Sequence, residues 1–437
     1  MGSCADRDHD SRSQRYLGVG SSMRSTKLIS RYQFAAFRIL FGLYLIIHFI
    51  GLLPYGPELF SNQGVLSSAR LNFTHGILPN PLEHWDSPFV VTLFLLIMLV
   101  LASSFTVGCC RRTAAVLLWY GWACLFNRNN LISNPSIPYV GLLLLLCALV
   151  PLGEPFSLRR RKAAGEWKFP SAVYWVAWWL MAVGYTFSGC MKLYSPSWLD
   201  GTALVHLVNN PLARPGLFRD IFLSLPAWTT KANTWAVLGL EILFVPLSFH
   251  RRTRLFAWTA MIAMHLGILL MVDFADLSLG MVMIHLFTFD PDWLPARRLA
   301  NGPSVVLFDG VCGLCDRTVQ FLLGEDVRGV LRFAPLQGAT AREVLGRHTG
   351  LPTDIKSLIF VRNCGAPEEI AFVRSRGALL ILDELGGFWR IVSWMRIMPR
   401  PIRDGLYDWV ARNRYQWFGT FAECRLPSPA TRAQFLD

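Results

Sequence analysis

Two cysteines stand three positions apart in the run Val306-Leu-Phe-Asp309-Gly-Val-Cys312-Gly-Leu-Cys315. A Cys-x-x-Cys at the start of a helix that follows a strand has a definite chemistry. Helix N-terminal N–H groups and the helix dipole favour the thiolate of Cys312, the attacking form in thiol–disulfide exchange. Cys315 lies one turn in, on the core side, where it can resolve a mixed disulfide. Asp309 is near enough in sequence to accept the Cys315 proton. The rival use is half of a zinc site, which needs a second pair of ligands. Cys364 and Cys424 are single and far apart, and His348 has no partner at ligand spacing, so redox use is expected and no metal.

A second set of chemistry-bearing residues lies in apolar surroundings. Arg38, His48, Glu241, His265 and His285 fall inside hydrophobic runs, where ionisable groups are costly and mark cavities or pathways. Glu241 sits near the middle of its run with Pro246 just beyond, which points to a polar cavity holding a paired or protonated carboxyl. Lys192 closes an earlier run. By spacing alone it is either an anchor at a membrane interface beside Trp198 or a desolvated amine that acts as a base.

The elements that must position these groups follow from composition. The chain has 437 residues, 53% hydrophobic and 16% charged, against about 25% charged in soluble domains. Mean hydropathy is +0.37. Residues 301–437 hold 31 charged positions and residues 1–300 only 40, so the expectation is a polytopic α-helical membrane bundle followed by a soluble domain. Eight candidate spans are 34–53, 89–106, 113–126, 138–151, 173–189, 233–249, 255–272 and 277–289, of which the third, fourth and eighth are short for a core of roughly 30 Å. The net charge of +13 falls in short basic clusters between these runs. They include Arg111–Arg112, Arg159–Lys162, Arg251–Arg254 and Arg297–Arg298, and all fall on one side if eight segments cross. This places both termini and the soluble domain in the cytoplasm, in contact with a lipid bilayer, and weighs against nucleic acid as a partner. Residues 1–31 read as a disordered cytoplasmic tail, 32–299 as the membrane domain and 304–437 as the soluble domain.

Within the soluble domain the expected elements are strand 305–308, a helix through Leu323, strand 331–334, helix 341–347, strands 358–362 and 369–373, and helix 377–385. The order β-α-β-α-β-β-α is that of thioredoxin-like α/β domains.

Two resemblances follow. The stretch Tyr185-Thr-Phe-Ser-Gly189-Cys-Met-Lys192-Leu193, with Trp198 and Gly201, resembles the HTTM family, membrane domains related to vitamin K-dependent gamma-glutamyl carboxylase. The resemblance implies that Lys192 is a base toward a reduced quinone, and His265-Leu266 with Leu279-Gly280-Met281 echoes a histidine segment of the carboxylase. The chain departs from it at Asn134-Pro135-Ser136, where the carboxylase carries Asn-His, and it lacks the glutamate-binding domain, so glutamyl carboxylation is not expected. From residue 304 the chain resembles the DCC family of thiol-disulfide oxidoreductases. The motifs are Asp309-x-x-Cys312-x-x-Cys315, Phe333-Ala-Pro-Leu-Gln337, Ser375-Arg-Gly-Ala378, Ala411-Arg-Asn-Arg-Tyr415 and Cys424-Arg-Leu-Pro427.

Three readings result. The leading one is a membrane-bound, bacterial thiol-disulfide oxidoreductase that needs no cofactor in its thiol domain and acts on a disulfide or dithiol partner, while Glu241 and His265 line a membrane site for a quinone or lipid-like molecule. A second makes the membrane half a quinol-dependent enzyme with the thiol domain as reductant. A third is a non-enzymatic membrane scaffold with a redox-sensing domain.

Overall fold

The computed structural model describes residues 29–158, 167–295, 302–349, 351, 358–421 and 431–436. Most of the N-terminal tail, Arg159–Lys162, Arg297, Arg298 and Cys424 lie outside the described residues. The chain divides into two compact units, Met1–Phe289 and Asp290–Asp437.

The first unit is helical. Its main helices are α1 (Arg31–Leu52), α2 (Pro88–Thr106), α3 (Arg111–Arg128), α4 (Ile137–Leu149), α5 (Ser171–Lys192), α6 (Ala227–Ile242), α7 (Arg251–Met271) and α8 (Ala275–Phe287). Each of the eight expected segments meets a helix, and among the described residues three of these helices, α1, α2 and α7, are long and apolar enough to cross a membrane by length and composition alone. The limits on the others are local. α4 and α8 have 13 residues each, about 20 Å of rise. α3 is weakened by Arg111, Arg112 and Arg128, and α5 by its Tyr, Thr and Ser content. The sixth segment is broken at Leu243, between α6 and a short helix Phe244–Ser248. Pro246 has no N–H to donate, and the Val245 N–H instead donates to Thr186 Oγ1 at 3.1 Å.

Arg111, counted above as a loop charge, is buried. Its Nε lies 2.6 Å from Glu154 Oε1. Arg38 shares that carboxylate at 3.7 Å and donates to the carbonyls of Phe105 and Phe156 at 3.0 and 2.8 Å. These two arginines knit the ends of α1, α2 and α3 together.

The second unit is a small mixed sheet with helices. Its elements are β1 (Ser304–Phe308), α9 (Gly313–Glu325), β2 (Leu331–Pro335), α10 (Ala339–Arg347), β3 (Ile359–Arg362), β4 (Ile370–Val373), α11 (Arg374–Leu385), α12 (Gly387–Ser393) and α13 (Arg400–Phe418). The strand order is β2-β1-β3-β4, with β1 parallel to β2 and antiparallel to β3, and β4 antiparallel to β3. All five residues of β1 are buried, as a central strand covered on both faces requires. Val306 and Phe308 pack on one face with Val319, Leu322 and Ile381, whereas Val305 and Leu307 pack on the other with Ala341 and Val344. The period-2 alternation of β1 thus puts α9 and α11 on one side of the sheet and α10 on the other.

Candidate functional site

β1 ends at Phe308 and delivers Asp309 to the turn that starts α9. Cys312 is the N-cap of α9, at φ −88° and ψ 121°, and its carbonyl accepts the Asp316 N–H at 3.0 Å. Cys315 follows on the buried side of the helix, in the same apolar cluster as Val319 and Leu322. Both cysteines are buried free thiols. Burial pushes the Cys315 thiol up to about 12, and the neighbouring Cys312 adds to the effect.

Asp309 is the hub of this site. Its Oδ2 accepts the Tyr415 hydroxyl at 2.6 Å and lies 3.5 Å from Arg414 Nη2. Its Oδ1 accepts the Val311 N–H and Gln337 Nε2, both at 3.2 Å. Gln337 also accepts the Gly310 N–H through Oε1 at 3.3 Å, so it pins the turn from the end of β2. Burial disfavours the charged form of Asp309, but Tyr415, Val311, Gln337 and the Arg414 charge together outweigh it and hold the carboxyl below the usual carboxylate range. Arg414 is itself buried, donates to the Tyr415 hydroxyl at 2.7 Å and lies within electrostatic reach of both cysteines.

A strap closes the site. After α13 the chain Gly419–Phe421 runs antiparallel to the Cys312 loop, with Thr420 opposite Cys312. The Gly313 N–H donates to the Gly419 carbonyl at 3.0 Å, and the Phe421 N–H donates to the Val311 carbonyl at 2.8 Å. Gly313 is required for this approach, since a Cβ there would stand 2.2 Å from the Phe418 carbonyl oxygen.

The other candidate residues gather in the first unit. Lys192, Glu241 and His265 all line one cleft of about 2150 Å³. Lys192 Nζ pairs with the Glu241 carboxylate and donates to Ser188 Oγ at 3.1 Å, with the Trp198 ring centroid 4.7 Å away. The glycine of the Tyr-x-x-x-Gly-x-x-Lys run makes this possible: a Cβ at Gly189 would meet Ile242 N at 2.7 Å, so α5 and α6 touch backbone to backbone. His265 Nε2 lies 2.8 Å from the Tyr185 hydroxyl, and its ring is 6.1 Å from that of His285. Apart from these groups the lining is mainly Leu, Val, Met, Trp and Phe. His48 is placed elsewhere, beside Asp276 at 2.8 Å in a smaller cavity of about 360 Å³.

Residue-by-residue reading assigned no role to Gln337, Arg414, Tyr415 or Tyr185. All four lie in the motif runs quoted above, which was the available signal, but their partners are distant in sequence.

Comparison with known proteins agrees with both halves. A family model described as HTTM domain matches residues 28–293. Another, described as DCC1-like thiol-disulfide oxidoreductase, matches residues 306–420. The chain belongs to the HTTM family and carries a DCC1-like domain. Of its relatives, the uncharacterised protein YuxK of Bacillus subtilis (strain 168) is 39% identical over 133 residues, which are 30% of this chain and 93% of that protein. A chloroplastic DCC family protein of Arabidopsis thaliana is 33% identical over 123 residues, 28% of this chain and 69% of that protein. No solved structure matches the chain significantly. The HTTM domain and the apolar helices make this a membrane-associated protein, and the DCC1-like domain gives it a redox role.

Proposed function

We propose that the DCC1-like domain is a thioredoxin-like thiol-disulfide oxidoreductase acting through Cys312 and Cys315, and that the HTTM domain embeds it in the membrane and holds a quinone or lipid-like molecule. The observation that carries the first half is the asymmetry of the pair. Cys312 caps α9 and Cys315 follows one turn in on its buried side, where burial raises its thiol, and the Arg414 cation lies within reach of both. The Cys312 thiolate attacks one sulfur of a partner disulfide, forming a mixed disulfide and releasing one partner thiolate. Cys315 gives its proton to Asp309 and attacks Cys312 Sγ, which closes the Cys312–Cys315 disulfide and frees the second partner thiolate. Two electrons pass to the partner, and protons restore its two thiols. The reverse sequence oxidises a partner dithiol.

The second half rests on the α5–α6–α7 cleft. Its volume exceeds the roughly 300–1,000 Å³ of ordinary small-molecule sites, and its lining is mainly apolar, with Lys192, Glu241, Ser188, Tyr185 and His265 gathered among the polar groups that line it. That donor set suits a long apolar molecule with an oxygenated head. A bound quinone would supply two-electron redox chemistry there; Lys192 would donate to its oxygen, and Tyr185 and His265 would hold a proton beside it. In this reading all eight helices cross the bilayer and the DCC1-like domain faces the cytoplasm of a bacterial cell. Labelling of Cys312 in intact cells by an impermeant thiol reagent overturns that topology.

The deciding experiment uses the full chain. Cys315→Ser should accumulate a mixed disulfide through Cys312, and Cys312→Ser should accumulate none. Stoichiometric zinc on the wild-type protein, with neither variant trapping a partner, overturns the redox reading.

A further inference from the structure

The C-terminal unit carries an exposed apolar stripe that the thiol chemistry does not use. Along α13 the outward positions are Ile402, Leu406, Trp409 and Trp417, spaced three, four or eight apart so that they share one face. Ile402, Leu406 and Trp409 are 58%, 57% and 51% exposed, and the Trp409 and Trp417 rings meet at 4.8 Å. The stretch that leads into α13 extends the stripe with Trp394 and with Ile397, which is 83% exposed. These residues are the reverse of what a soluble surface presents to water.

The charges around the stripe are mainly basic. Residues 390–412 include five arginines against two aspartates. Both aspartates are engaged, Asp404 by Arg400 at 3.1 Å and Asp408 by Arg374 at 3.5 Å. Arg396, Arg400 and Arg412 border the stripe on exposed positions. A convex face of Trp, Ile and Leu fringed by arginine matches the interfacial zone of a bilayer, where indole rings and guanidinium groups settle among headgroups. Anionic lipids add attraction to each arginine near the surface.

We propose that this face of α13, with the segment that leads into it, docks on an anionic membrane surface. The proposal rests on the reading of the HTTM domain as membrane-embedded. The tether favours it: only 17 positions separate Phe287 at the end of α8 from Ser304 at the start of β1, which span at most about 60 Å. Bilayer contact is therefore an intramolecular event at high effective concentration. Docking would also fix the helix whose inner side carries Arg414 and Tyr415 against Asp309.

The test is fluorine NMR of the full chain labelled with 5-fluorotryptophan, in nanodiscs of phosphatidylcholine with phosphatidylglycerol. Trp409→Phe, Trp417→Phe and Trp258→Phe assign the resonances, Trp258 reporting on α7. The expected result is that doxyl-labelled lipid broadens Trp258, Trp409 and Trp417, while a water-soluble gadolinium chelate spares them. Ile402→Asp combined with Leu406→Asp, both exposed positions, should abolish the lipid broadening of Trp409 and leave that of Trp258. Trp409 broadened by gadolinium while Trp258 is broadened by lipid overturns the docking alone. Trp409 shielded from both agents means that protein covers the stripe, a second copy or the HTTM unit, and also overturns it. Absence of lipid broadening at Trp258 overturns the membrane reading and the docking with it.

Discussion

The Tyr415 hydroxyl donates to Asp309 Oδ2 at 2.6 Å, joining residues 106 positions apart across the site that holds the cysteine pair. Asp309 therefore depends on α13 for its geometry. Tyr415→Phe removes that donor from a buried charged acceptor and should cost about 1–3 kcal/mol of stability at neutral pH. The Asp309 carboxyl lies below its usual range when folded, so its stabilising contribution is present above the unfolded value of about 3.9 and is lost as pH falls through the folded value. The difference between wild type and Tyr415→Phe in urea unfolding should be largest near pH 7 and shrink below about pH 4. A pH-independent difference would mean that the ring packs without serving the carboxylate.

The strap sets access to Cys312. Phe421→Pro removes the N–H that donates to Val311, a bond worth roughly 1 kcal/mol net, so opening should become about fivefold more frequent. Gly313→Ala should act the same way, because its Cβ collides with the Phe418 carbonyl. Both variants should alkylate Cys312 severalfold faster than wild type with iodoacetamide. Unchanged rates would place the route to Cys312 elsewhere.

The Cys315 thiol, raised to about 12 by burial, governs the second half of exchange. In Cys312→Ser, alkylation of Cys315 should climb about tenfold per pH unit through neutral pH and beyond, without a plateau by pH 10, since the thiolate fraction is still rising. A plateau near pH 9 would indicate an ordinary exposed thiol. Asp309→Asn should slow resolution of a mixed disulfide more than its formation, as stopped-flow mixing with a disulfide reagent would show.

In the membrane unit, Lys192→Ala strands the Glu241 carboxylate in its buried position. Loss of one partner of such a pair costs roughly 3–5 kcal/mol when fully buried, and somewhat less here because Lys192 is partly exposed. Combining it with Glu241→Gln should recover much of the thermal stability in detergent. Lys192→Arg keeps the ion pair but cannot lose a proton at neutral pH. A variant with intact stability and undiminished turnover of a bound quinol would leave Lys192 a purely positioning role.

The sequence by itself determined the local features. The strand, the Cys-x-x-Cys and the helix behind it follow from periodicity over a few residues, and β1, α9, β2, α10, β3, β4 and α11 occur in the order that reading requires. The apolar runs likewise mark where the helices of the first unit form. Crossing a membrane is a stricter property. The shortness of the fourth and eighth segments was legible in the sequence, whereas the break at Leu243 and the burial of Arg111 on Glu154 depend on how helices end and meet.

Tertiary structure alone decided which of the candidate residues act together. Lys192 and Glu241 are 49 positions apart, and nothing in the pattern of either run says that α5 and α6 touch at Gly189. The same holds for Asp309, whose partners arrive from the end of β2 and the inner face of α13, and for the strap at Cys312. Periodicity reveals that a helix has a buried face, but not which neighbour that face meets. Hydrogen bonds and ion pairs form only between groups brought within a few ångströms, so these partnerships are set by packing.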